Sequence, residues 1–359
     1  MKIKRLGLKN YRNCADIKLE FPTKKTLIIG KNAQGKTNIL ESIYFLSDLK
    51  SPRTSVISDL IKFNEPNFEI SAEVLKNDTD IELDYTYTAE KKRELKINKV
   101  KSTPKDFKLV VKTVLFSTKD LMLLRGAPED RRNWLDRAIS QIYPAYDERL
   151  SKYDKIRIQK NNLLKNEIID EALLDIYNEQ LAITGANIIY LRKKFLKEIE
   201  KIAAQKHKLI SELEEFTLNY TCPKDEVEEI SDYLKQELTE RRKEEFGRRQ
   251  ACVGPHRDDI EFMINGLDAT KFASQGQQRT LVLSLKLSEL EIIKEKTGFY
   301  PILLLDDVLA ELDDRRQNYL LKSIDDNTQT IITSVDTLLF EQEFLKDVTI
   351  YKVDGGKIE

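Results

Sequence analysis

The stretch Leu27–Leu46 reads LIIGKNAQGKTNILESIYFL. Its leading apolar residues predict a short buried strand, and the spacing of Ile39, Ile43 and Leu46 predicts a helix. Between strand and helix the sequence matches G-x-x-x-x-G-K-[ST], in the context that a phosphate-binding loop requires. The stretch therefore predicts a phosphate-binding loop at the end of a strand.

The loop supplies the groups that hold phosphate. Glycines let backbone N–H groups wrap the β-phosphate, and Lys36 adds a cation for the β and γ oxygens. Thr37 offers a hydroxyl to Mg²⁺, and the N-terminus of the following helix favours negative charge. We expect ATP and Mg²⁺ as cofactors. The candidate cofactor-binding residues of the loop are Gly30, Lys31, Asn32, Ala33, Gln34, Gly35, Lys36, Thr37 and Asn38.

A second apolar strand, Pro301–Asp307, ends in two acids. Such an all-apolar run is typical of a parallel strand buried on both faces. We expect Asp306 to share the Mg²⁺ shell with Thr37, and Asp307 to orient or deprotonate the attacking water. Acids in this position often only cap a loop, but together with the phosphate loop they predict ATP hydrolysis. The candidate catalytic residues are Lys36, Asp306 and Asp307, and the candidate metal ligands are Thr37 and Asp306.

Two further patterns surround these strands. Alternating apolar residues from Phe68 to Tyr87 predict half-buried antiparallel strands. Between Pro128 and Phe246 glycine and proline are scarce, and apolar residues spaced by three and four predict helices over 146–163 and 174–209. After this region strand and helix patterns alternate again. The predicted fold class is α/β, with an inserted helical lobe that carries a short antiparallel helical arm.

The composition excludes several classes of protein. The chain has 359 residues with 60 Lys plus Arg against 61 Asp plus Glu, and a net charge of -1 does not by itself indicate nucleic acid. With 12 Gly and 9 Pro it is neither collagen-like nor of low complexity. No apolar stretch approaches the roughly 18 residues of a membrane span. The 3 Cys are odd in number and widely spaced, which argues against a disulfide framework. The 2 His make a histidine-rich zinc site or a His-dependent triad improbable. We expect a cytoplasmic protein with no membrane partner.

Charge is segregated around residue 90. Glu65–Glu90 holds eight acids and one lysine, whereas Lys91–Lys112 holds nine bases and two acids. The second stretch is either a surface that binds DNA phosphates or a solvated lysine-rich hairpin. The candidate DNA-binding residues are Lys91, Lys92, Arg93, Lys96, Lys99 and Lys101.

The segment Ser274–Arg279, SQGQQR, precedes a predicted helix and has two interpretations. On its own it is a good helix N-cap. Its sequence and its place before the acidic strand also resemble those of the signature segment of ATP-binding-cassette (ABC) ATPases. In those proteins the signature serine of one subunit closes over the γ-phosphate held by the other. This resemblance implies that Ser274, Gly276 and Gln277 contact the cofactor in an ATP-sandwiched homodimer.

The ABC resemblance continues in the same order along the chain. Glu311–Asp313 occupies the place of the D-loop, and Thr333 or Ser334 takes the place of the usual switch histidine. No glutamine loop is recognisable, and Phe116–Lys119 fills its place without an assigned ligand. The implied fold is an ABC-type ATPase head with a mixed sheet and an antiparallel β subdomain. The expected division is 1–125 with 299–359 as the nucleotide-binding lobe, and 126–298 as the helical lobe with arm and signature.

Six segments make the resemblance more specific. They are Leu8–Asn13, the phosphate loop, Arg125–Pro128 with Arg131–Asp136, Gly254–Asp259, Phe272–Thr280 and Leu304–Asp313. Together they resemble, over the whole chain, the RecF family of bacterial recombination mediators, relatives of the SMC proteins. The segments GPHRDD and SQGQQR are the most family-specific, while Ala273 and Ala310 depart from the usual glycine and serine.

The RecF resemblance implies a function. It implies a weak DNA-stimulated ATPase that binds double-stranded and gapped DNA and dimerises when ATP is bound. With RecO and RecR, such a protein promotes loading of RecA in gap repair and replication restart. The resemblance also implies that Arg12 contacts the nucleotide, and the residues up to Arg12 are a second choice for DNA binding.

Alternatives remain open at this point. The chain is alternatively the ATPase subunit of a transporter or another machine, or an ATP-gated DNA clamp with negligible turnover. A small kinase would leave the signature segment unexplained. His256 beside Asp258 and Asp259 suggests a metal or nuclease site, or instead a polar network between the two lobes. Arg131 and Arg132 either have a functional role or form an exposed helix face paired with Glu129 or Asp136.

Overall fold

The computed structural model describes residues 1–358. The chain divides into two compact units, one built from Met1–Asp120 with Glu289–Glu359 and the other from Leu121–Ser288. The cuts expected from the sequence, after residues 125 and 298, lie five and ten residues further along the chain. Among the described residues, no helix has both the length and the apolarity to cross a membrane.

The first unit begins with an antiparallel meander around the phosphate loop. Its elements in chain order are β1 (Lys2–Tyr11), β2 (Cys14–Glu20), β3 (Lys25–Ile29), α1 (Lys36–Asp48), β4 (Asn67–Lys76), β5 (Thr79–Thr88), β6 (Arg93–Ile97), β7 (Val100–Lys101), α2 (Pro104–Val110) and β8 (Thr113–Ser117). The strand and helix predicted around the phosphate loop are β3 and α1. The predicted alternating strands are β4 and β5.

The second unit is mainly helical, as predicted for the inserted lobe. Its elements are α3 (Met122–Arg125), α4 (Pro128–Ile142), α5 (Tyr146–Leu163), α6 (Glu171–Ile210), β9 (Phe216–Tyr220), α7 (Val227–Glu240), α8 (Arg242–Arg248), β10 (Ile260–Ile264), β11 (Leu267–Asp268), α9 (Ala269–Phe272) and the start of α10 (Gln275–Thr297). The strands β11, β10 and β9 form a small antiparallel sheet.

The chain then returns to the first unit. The remaining elements are β12 (Ile302–Asp306), α11 (Asp314–Ser323), β13 (Thr330–Ser334), α12 (Gln342–Leu345), β14 (Val348–Asp354) and β15 (Lys357–Ile358). One sheet has the order β15-β14-β3-β13-β12-β8 and is parallel except at β15. The other is antiparallel with the order β2-β1-β4-β5-β6-β7. These sheets confirm the predicted mixed sheet and antiparallel β subdomain.

Helix α1 lies between the two sheets of the first unit. On one side it packs against β8, β12 and β13. On the other, the ring of Phe45 contacts Phe68 at 6.3 Å and Tyr85 at 4.8 Å between ring centroids. Both rings belong to the antiparallel sheet, and every residue of α1 except Thr37 is buried. The helix that starts at the phosphate loop is therefore held on all sides.

The helical arm is formed by α5 and α6, which pack along each other as predicted. A short connection joins them, and α6 also packs against α7 and β9. The predicted apolar seam holds along most of α6 but is wrong at its end, where Leu209 is 68% exposed and Ile210 is buried. An α-helix advances 3.6 residues per turn, so a regular seam drifts around a helix this long.

A charge pair is buried between α5 and α8. Lys160 Nζ lies 2.6 Å from Glu245 Oε2, and both side chains are fully buried. Burial lowers the pKa of Lys160, while the charge of Glu245 opposes that shift. Glu245 also accepts a hydrogen bond from the Cys252 backbone N–H at 2.9 Å. The pair therefore ties the arm to the segment before Gly254.

We expect Lys160→Met to destabilise the protein by about 3–5 kcal/mol, because it leaves the Glu245 carboxylate buried and unpaired. Urea unfolding followed by circular dichroism measures the loss. The matched control is Arg157→Gln on the same helix, which removes the partly exposed ion pair with Asp154 and should cost about 1 kcal/mol or less. Equal losses in the two variants would contradict the assigned role of the buried pair.

Candidate nucleotide-binding site

The phosphate loop joins β3 to α1 with a backbone that only glycine adopts easily. Gly30 has φ +156° and Gly35 has φ +114°. A Cβ on Gly35 would lie 2.8 Å from Asn13 Oδ1, and one on Gly30 would overlap the carbonyl of Val353. Glycine at both positions is required by conformation and by space.

Two distant parts of the chain hold this loop. Asn13 donates from Nδ2 to the Gln34 carbonyl at 3.2 Å and accepts at Oδ1 from Asn38 Nδ2 at 2.7 Å. The turn between β14 and β15 donates from Gly356 N to the Gln34 carbonyl at 2.9 Å, and from Gly355 N to Gln34 Oε1 at 2.6 Å. The side chains of Gln34 and Asn38, both candidate ligands, therefore support the loop itself.

Lys36 points back over the loop. Its Nζ donates to the carbonyls of Gly30 at 2.6 Å and Lys31 at 3.2 Å, and its side chain is buried. Lys31, Asn32 and Ala33 form the exposed outer edge of the loop. The cation is thus held beside the loop's backbone, where phosphate oxygens bind in proteins of this type.

The ends of α1, β12 and β13 bring the second group of candidates together. Thr37 Oγ1 donates to Asp306 Oδ1 at 2.9 Å, although the two residues are 269 positions apart. Thr333 Oγ1 donates to the same oxygen at 3.0 Å and accepts from the Asp307 backbone N–H at 2.9 Å. Asp307 has φ +51°, in the left-handed region. Thr333 therefore supports the two acids, and its hydroxyl is already engaged.

A hydroxyl and a carboxylate beside a phosphate loop suit magnesium. Mg²⁺ is usually held by one or two carboxylates together with substrate phosphates, and Thr37 and Asp306 offer that set of oxygens. Burial raises the pKa of Asp306, while hydrogen bonds from Thr37 and Thr333 oppose it. The charge of Asp307 raises the pKa further, and that of Arg53 lowers it.

The structure places Arg12 differently from a free ligand. Its Nε and Nη2 donate to the buried Glu41 carboxylate at 3.0 and 2.8 Å, and Nη1 donates to the Asp59 carbonyl at 3.1 Å. Arg53 completes this cluster, with Nη1 donating to Asn38 Oδ1 at 2.6 Å and to Glu41 at 3.3 Å. Arg53 is the functional candidate that sequence reasoning missed, since it lies in no recognisable motif.

The signature segment lies in the second unit at the start of α10. The Ser274 N–H donates to Gln277 Oε1 at 2.8 Å, and Ser274 Oγ accepts from the Gln277 N–H at 3.3 Å. The N-cap interpretation is therefore confirmed, and Ser274 is exposed. Gln277 Nε2 donates to Glu214 Oε1 at 2.9 Å, so both ends of this amide are bound within the chain.

The segment Gly254–Asp259 belongs to a polar network. Arg131 forms a bidentate pair with Asp259 at 2.7 and 2.8 Å, and Arg132 donates to the Asp258 carbonyl at 2.7 Å. Burial lowers the pKa of His256 to about 3, which keeps the ring neutral. Its Nδ1 lies 2.7 Å from Tyr153 Oη.

This network corrects two expectations. Arg131 pairs with Asp259 rather than with Glu129 or Asp136, because its side chain is buried. The sequence predicts a polar network between the two lobes. The partners of Gly254–Asp259 named above all belong to the second unit. Among residues 1–358, no group of three or more His, Cys, Asp or Glu side chains could hold a metal ion.

The candidate DNA-binding residues lie around the hairpin of β6 and β7, at one edge of the antiparallel sheet. Three of them are paired with acids: Lys92 with Glu90 at 2.7 Å, Lys96 with Glu94 at 3.1 Å and Lys99 with Glu82 at 3.6 Å. Within the described chain, the exposed side chains of Lys91, Arg93 and Lys101 form no ion pair. The hairpin thus combines free and paired cations.

The phosphate loop, the acidic strand and the signature segment, on this arrangement of sheets and helices, define an ATPase head of the ABC/SMC class. The SmcHead bound to the C-winged helix domain of ScpA has the same fold, with a TM-score of 0.57 at 16% identity and coverage of 100% of this chain and 98% of that one.

More similar proteins specify the family. DNA replication and repair protein RecF of Streptococcus gordonii is 41% identical and that of Bacillus subtilis 38%, each over 100% of both chains. The structure of the recombination mediator protein RecF-ATP in RecFOR pathway matches with a TM-score of 0.92 at 36% identity, covering 99% of this chain and 96% of that one. The RecF/RecN/SMC N terminal domain family matches residues 2–359, and the chain belongs to the RecF proteins of that family.

We expect Asp306→Asn to stabilise the nucleotide-free protein at pH 7. The raised pKa of Asp306 means that the folded state binds this proton more tightly than the unfolded state, so stability is lost as pH rises through the raised pKa. The amide removes the buried charge but keeps an oxygen for Thr37 and Thr333. The free energy of unfolding should rise by about 1 kcal/mol, which raises the melting temperature by about 2–4 °C.

The gain should shrink as pH falls and disappear below about pH 3, where the carboxyl group is protonated in both states. Calorimetry at several pH values measures it. Asp16→Asn, at an exposed position, is the matched control and should change stability by less than about 0.5 kcal/mol. A loss of stability in Asp306→Asn at pH 7 would contradict the assigned electrostatics.

Proposed function

We propose that the protein is an ATP-dependent DNA-binding recombination mediator that acts as an ATP-sandwiched homodimer. The observation that carries the proposal is the 2.9 Å hydrogen bond between Thr37 and Asp306, which joins the phosphate loop to the acidic strand. Lys36 Nζ donates to the Gly30 carbonyl of the same loop. These are the groups that ATP binding and hydrolysis need at one place.

Different residues of the chain have different roles in ATP binding and hydrolysis. The backbone of Gly30–Thr37 and the Lys36 cation bind the phosphates, and Thr37 with Asp306 would hold Mg²⁺. When bound, Mg²⁺ neutralises charge on the β and γ oxygens. Asp307 orients or deprotonates the attacking water, and the Thr333 hydroxyl fixes its backbone. Arg53 adds positive charge close enough to lower the pKa of Asp306.

Dimerisation depends on the second unit. In the proposed dimer, Ser274, Gly276 and the helix N-terminus of one copy close over the γ-phosphate held by the other. The exposure of Ser274 at the start of α10 supports this role. Hydrolysis then removes the phosphate that both copies hold, so the dimer dissolves and releases DNA. Turnover is expected to be weak and stimulated by DNA.

DNA binding is proposed for the hairpin of β6 and β7. Its cations contact phosphates, which gives an affinity that falls with salt and carries little sequence preference. Double-stranded and gapped DNA are the proposed substrates. Two solved relatives are described as the recombination mediator protein RecF in the RecFOR pathway. By that similarity we propose that the protein works with RecO and RecR in the cytoplasm to load RecA.

Sedimentation with and without ATP and Mg²⁺, alone and with gapped duplex DNA, tests the proposal. We expect a dimer only with ATP. Lys36→Met should lose ATP binding, and Asp307→Asn should bind ATP but lose turnover by about 100-fold or more, which prolongs the dimer. Ser274→Arg should bind ATP as a monomer.

The control is Lys18→Met, at an exposed strand position, which should behave as the wild type. Normal ATP binding by Lys36→Met would refute the phosphate site. A wild-type monomer under every condition would refute the dimer, and an ATP-dependent dimer without measurable hydrolysis would favour a clamp with negligible turnover.

The free cations of the hairpin should matter more for DNA than the paired ones. We expect Lys91→Gln/Arg93→Gln/Lys101→Gln to weaken binding and to reduce the slope of log K against log salt by about 2.7, as expected for three lost phosphate contacts. Fluorescence anisotropy with duplex DNA at several salt concentrations measures both. Lys92→Gln/Lys96→Gln/Lys99→Gln removes the same charge and should have the smaller effect. Equal slopes for the wild type and the first variant would exclude this surface.

A further inference from the structure

Glu214 is a carboxylate outside the proposed ATP site that contacts the signature segment. It lies in the loop between α6 and β9. Its Oε1 accepts from Gln277 Nε2 at 2.9 Å. Its Oε2 accepts from Ser211 Oγ at 2.7 Å and from His207 Nε2 at 2.9 Å. One carboxylate thus connects the end of the arm helix α6 with the start of α10.

The bond from Gln277 determines how that amide is oriented. A carboxylate only accepts hydrogen bonds, so the Gln277 nitrogen must face Glu214. The Gln277 carbonyl oxygen then faces the backbone N–H of Ser274, from which it accepts at 2.8 Å. A flipped amide would lose both bonds. Glu214 therefore acts on Ser274 through Gln277.

The second oxygen of Glu214, Oε2, is bonded by residues at the buried end of α6. His207 is fully buried in the last turn of α6, and its ring lies against Phe216 of β9 with centroids 5.8 Å apart. The Ser211 N–H caps the His207 carbonyl at 2.9 Å. Burial raises the pKa of Glu214, but hydrogen bonds from Ser211, Gln277 and His207 outweigh it, and the net pKa is lowered. The carboxylate is ionised at neutral pH and is held by three donors.

We propose that Glu214 is a positioning residue that holds Ser274 and the start of α10 ready to contact ATP bound by a second copy. It does so through Gln277, which acts as a support rather than as a nucleotide ligand. This inference rests on the proposed ATP-sandwiched dimer. It gives the end of the arm helix a supporting part in dimerisation, since two of the three groups that bond Glu214 belong to the end of α6 or directly follow it.

An exchange of the two side chains tests the proposal. In Glu214→Gln the new amide nitrogen faces either the Gln277 nitrogen, which costs one bond, or the donors Ser211 and His207, which costs two. In Gln277→Glu two carboxylates face each other. Each single variant should weaken ATP-dependent dimerisation about tenfold, the effect expected when a partly buried polar group is left unpaired. In the double variant Glu214→Gln/Gln277→Glu every donor again faces an acceptor. Its dimerisation should return to within about threefold of the wild type.

Two measurements are made on each protein, sedimentation with ATP and Mg²⁺ and hydrogen–deuterium exchange of the Ser274–Gln277 amides without nucleotide. Exchange should be about tenfold faster in the single variants and normal in the double variant. ATP affinity of the monomer should not change, since the phosphate loop lies in the other unit. Glu215→Gln, an exposed neighbour in the same loop, is the matched control and should match the wild type.

Wild-type dimerisation in both single variants would overturn the inference, as would a double variant no better than its parents. A wild-type protein that stays monomeric with ATP would instead overturn the proposed dimer. The exchange measurement separates the two failures because it needs neither nucleotide nor a second copy. Unchanged exchange in the single variants would show that Glu214 does not hold the segment.

Discussion

The burial of α1 between two sheets is the constraint on which the rest of the first unit depends. A helix packed on both sides cannot shift without opening the hydrophobic core around Phe45, Phe68 and Tyr85. Its N-terminal N–H groups therefore emerge at one fixed place, at the end of β3. The parallel strand β12 packs against the same helix and brings Asp306 to Thr37. The position of the phosphate loop is therefore fixed by apolar packing several residues away.

Polar groups around the loop are held by the chain itself. Lys36 rests on two backbone carbonyls, Asp306 on two threonine hydroxyls, and Gln34 on the turn before β15. Groups that are already oriented need little rearrangement when charge develops on a substrate, which is how preorganised sites lower a barrier. The signature segment follows the same rule in the second unit, where Glu214 and Gln277 hold the start of α10. Preorganisation is therefore a property of both units.

The site residues that could be predicted lie in local motifs. Lys36 and Thr37 belong to one loop pattern, and Asp306 ends an apolar strand, so strand and loop signals suffice to find them. Arg53, Glu214 and the Arg131–Asp259 pair could not be found this way, because single polar residues leave no periodic signal and their partners are distant in sequence. Gln277 was recognised by its motif, but the motif does not reveal that both ends of its amide are engaged.

By itself, the sequence determined the strand, loop and helix at the phosphate site, the acidic strand, the long helices of the arm and the division into two α/β segments around a helical insertion. These follow from hydrophobic periodicity and from glycine positions, which act over a few residues. Only the tertiary structure decided which cations are paired, that Arg12 binds Glu41, and that the turn before β15 supports Gln34. Hydrogen bonds and ion pairs depend on atoms within about 3 Å of each other, and folding alone brings residues hundreds of positions apart to that distance.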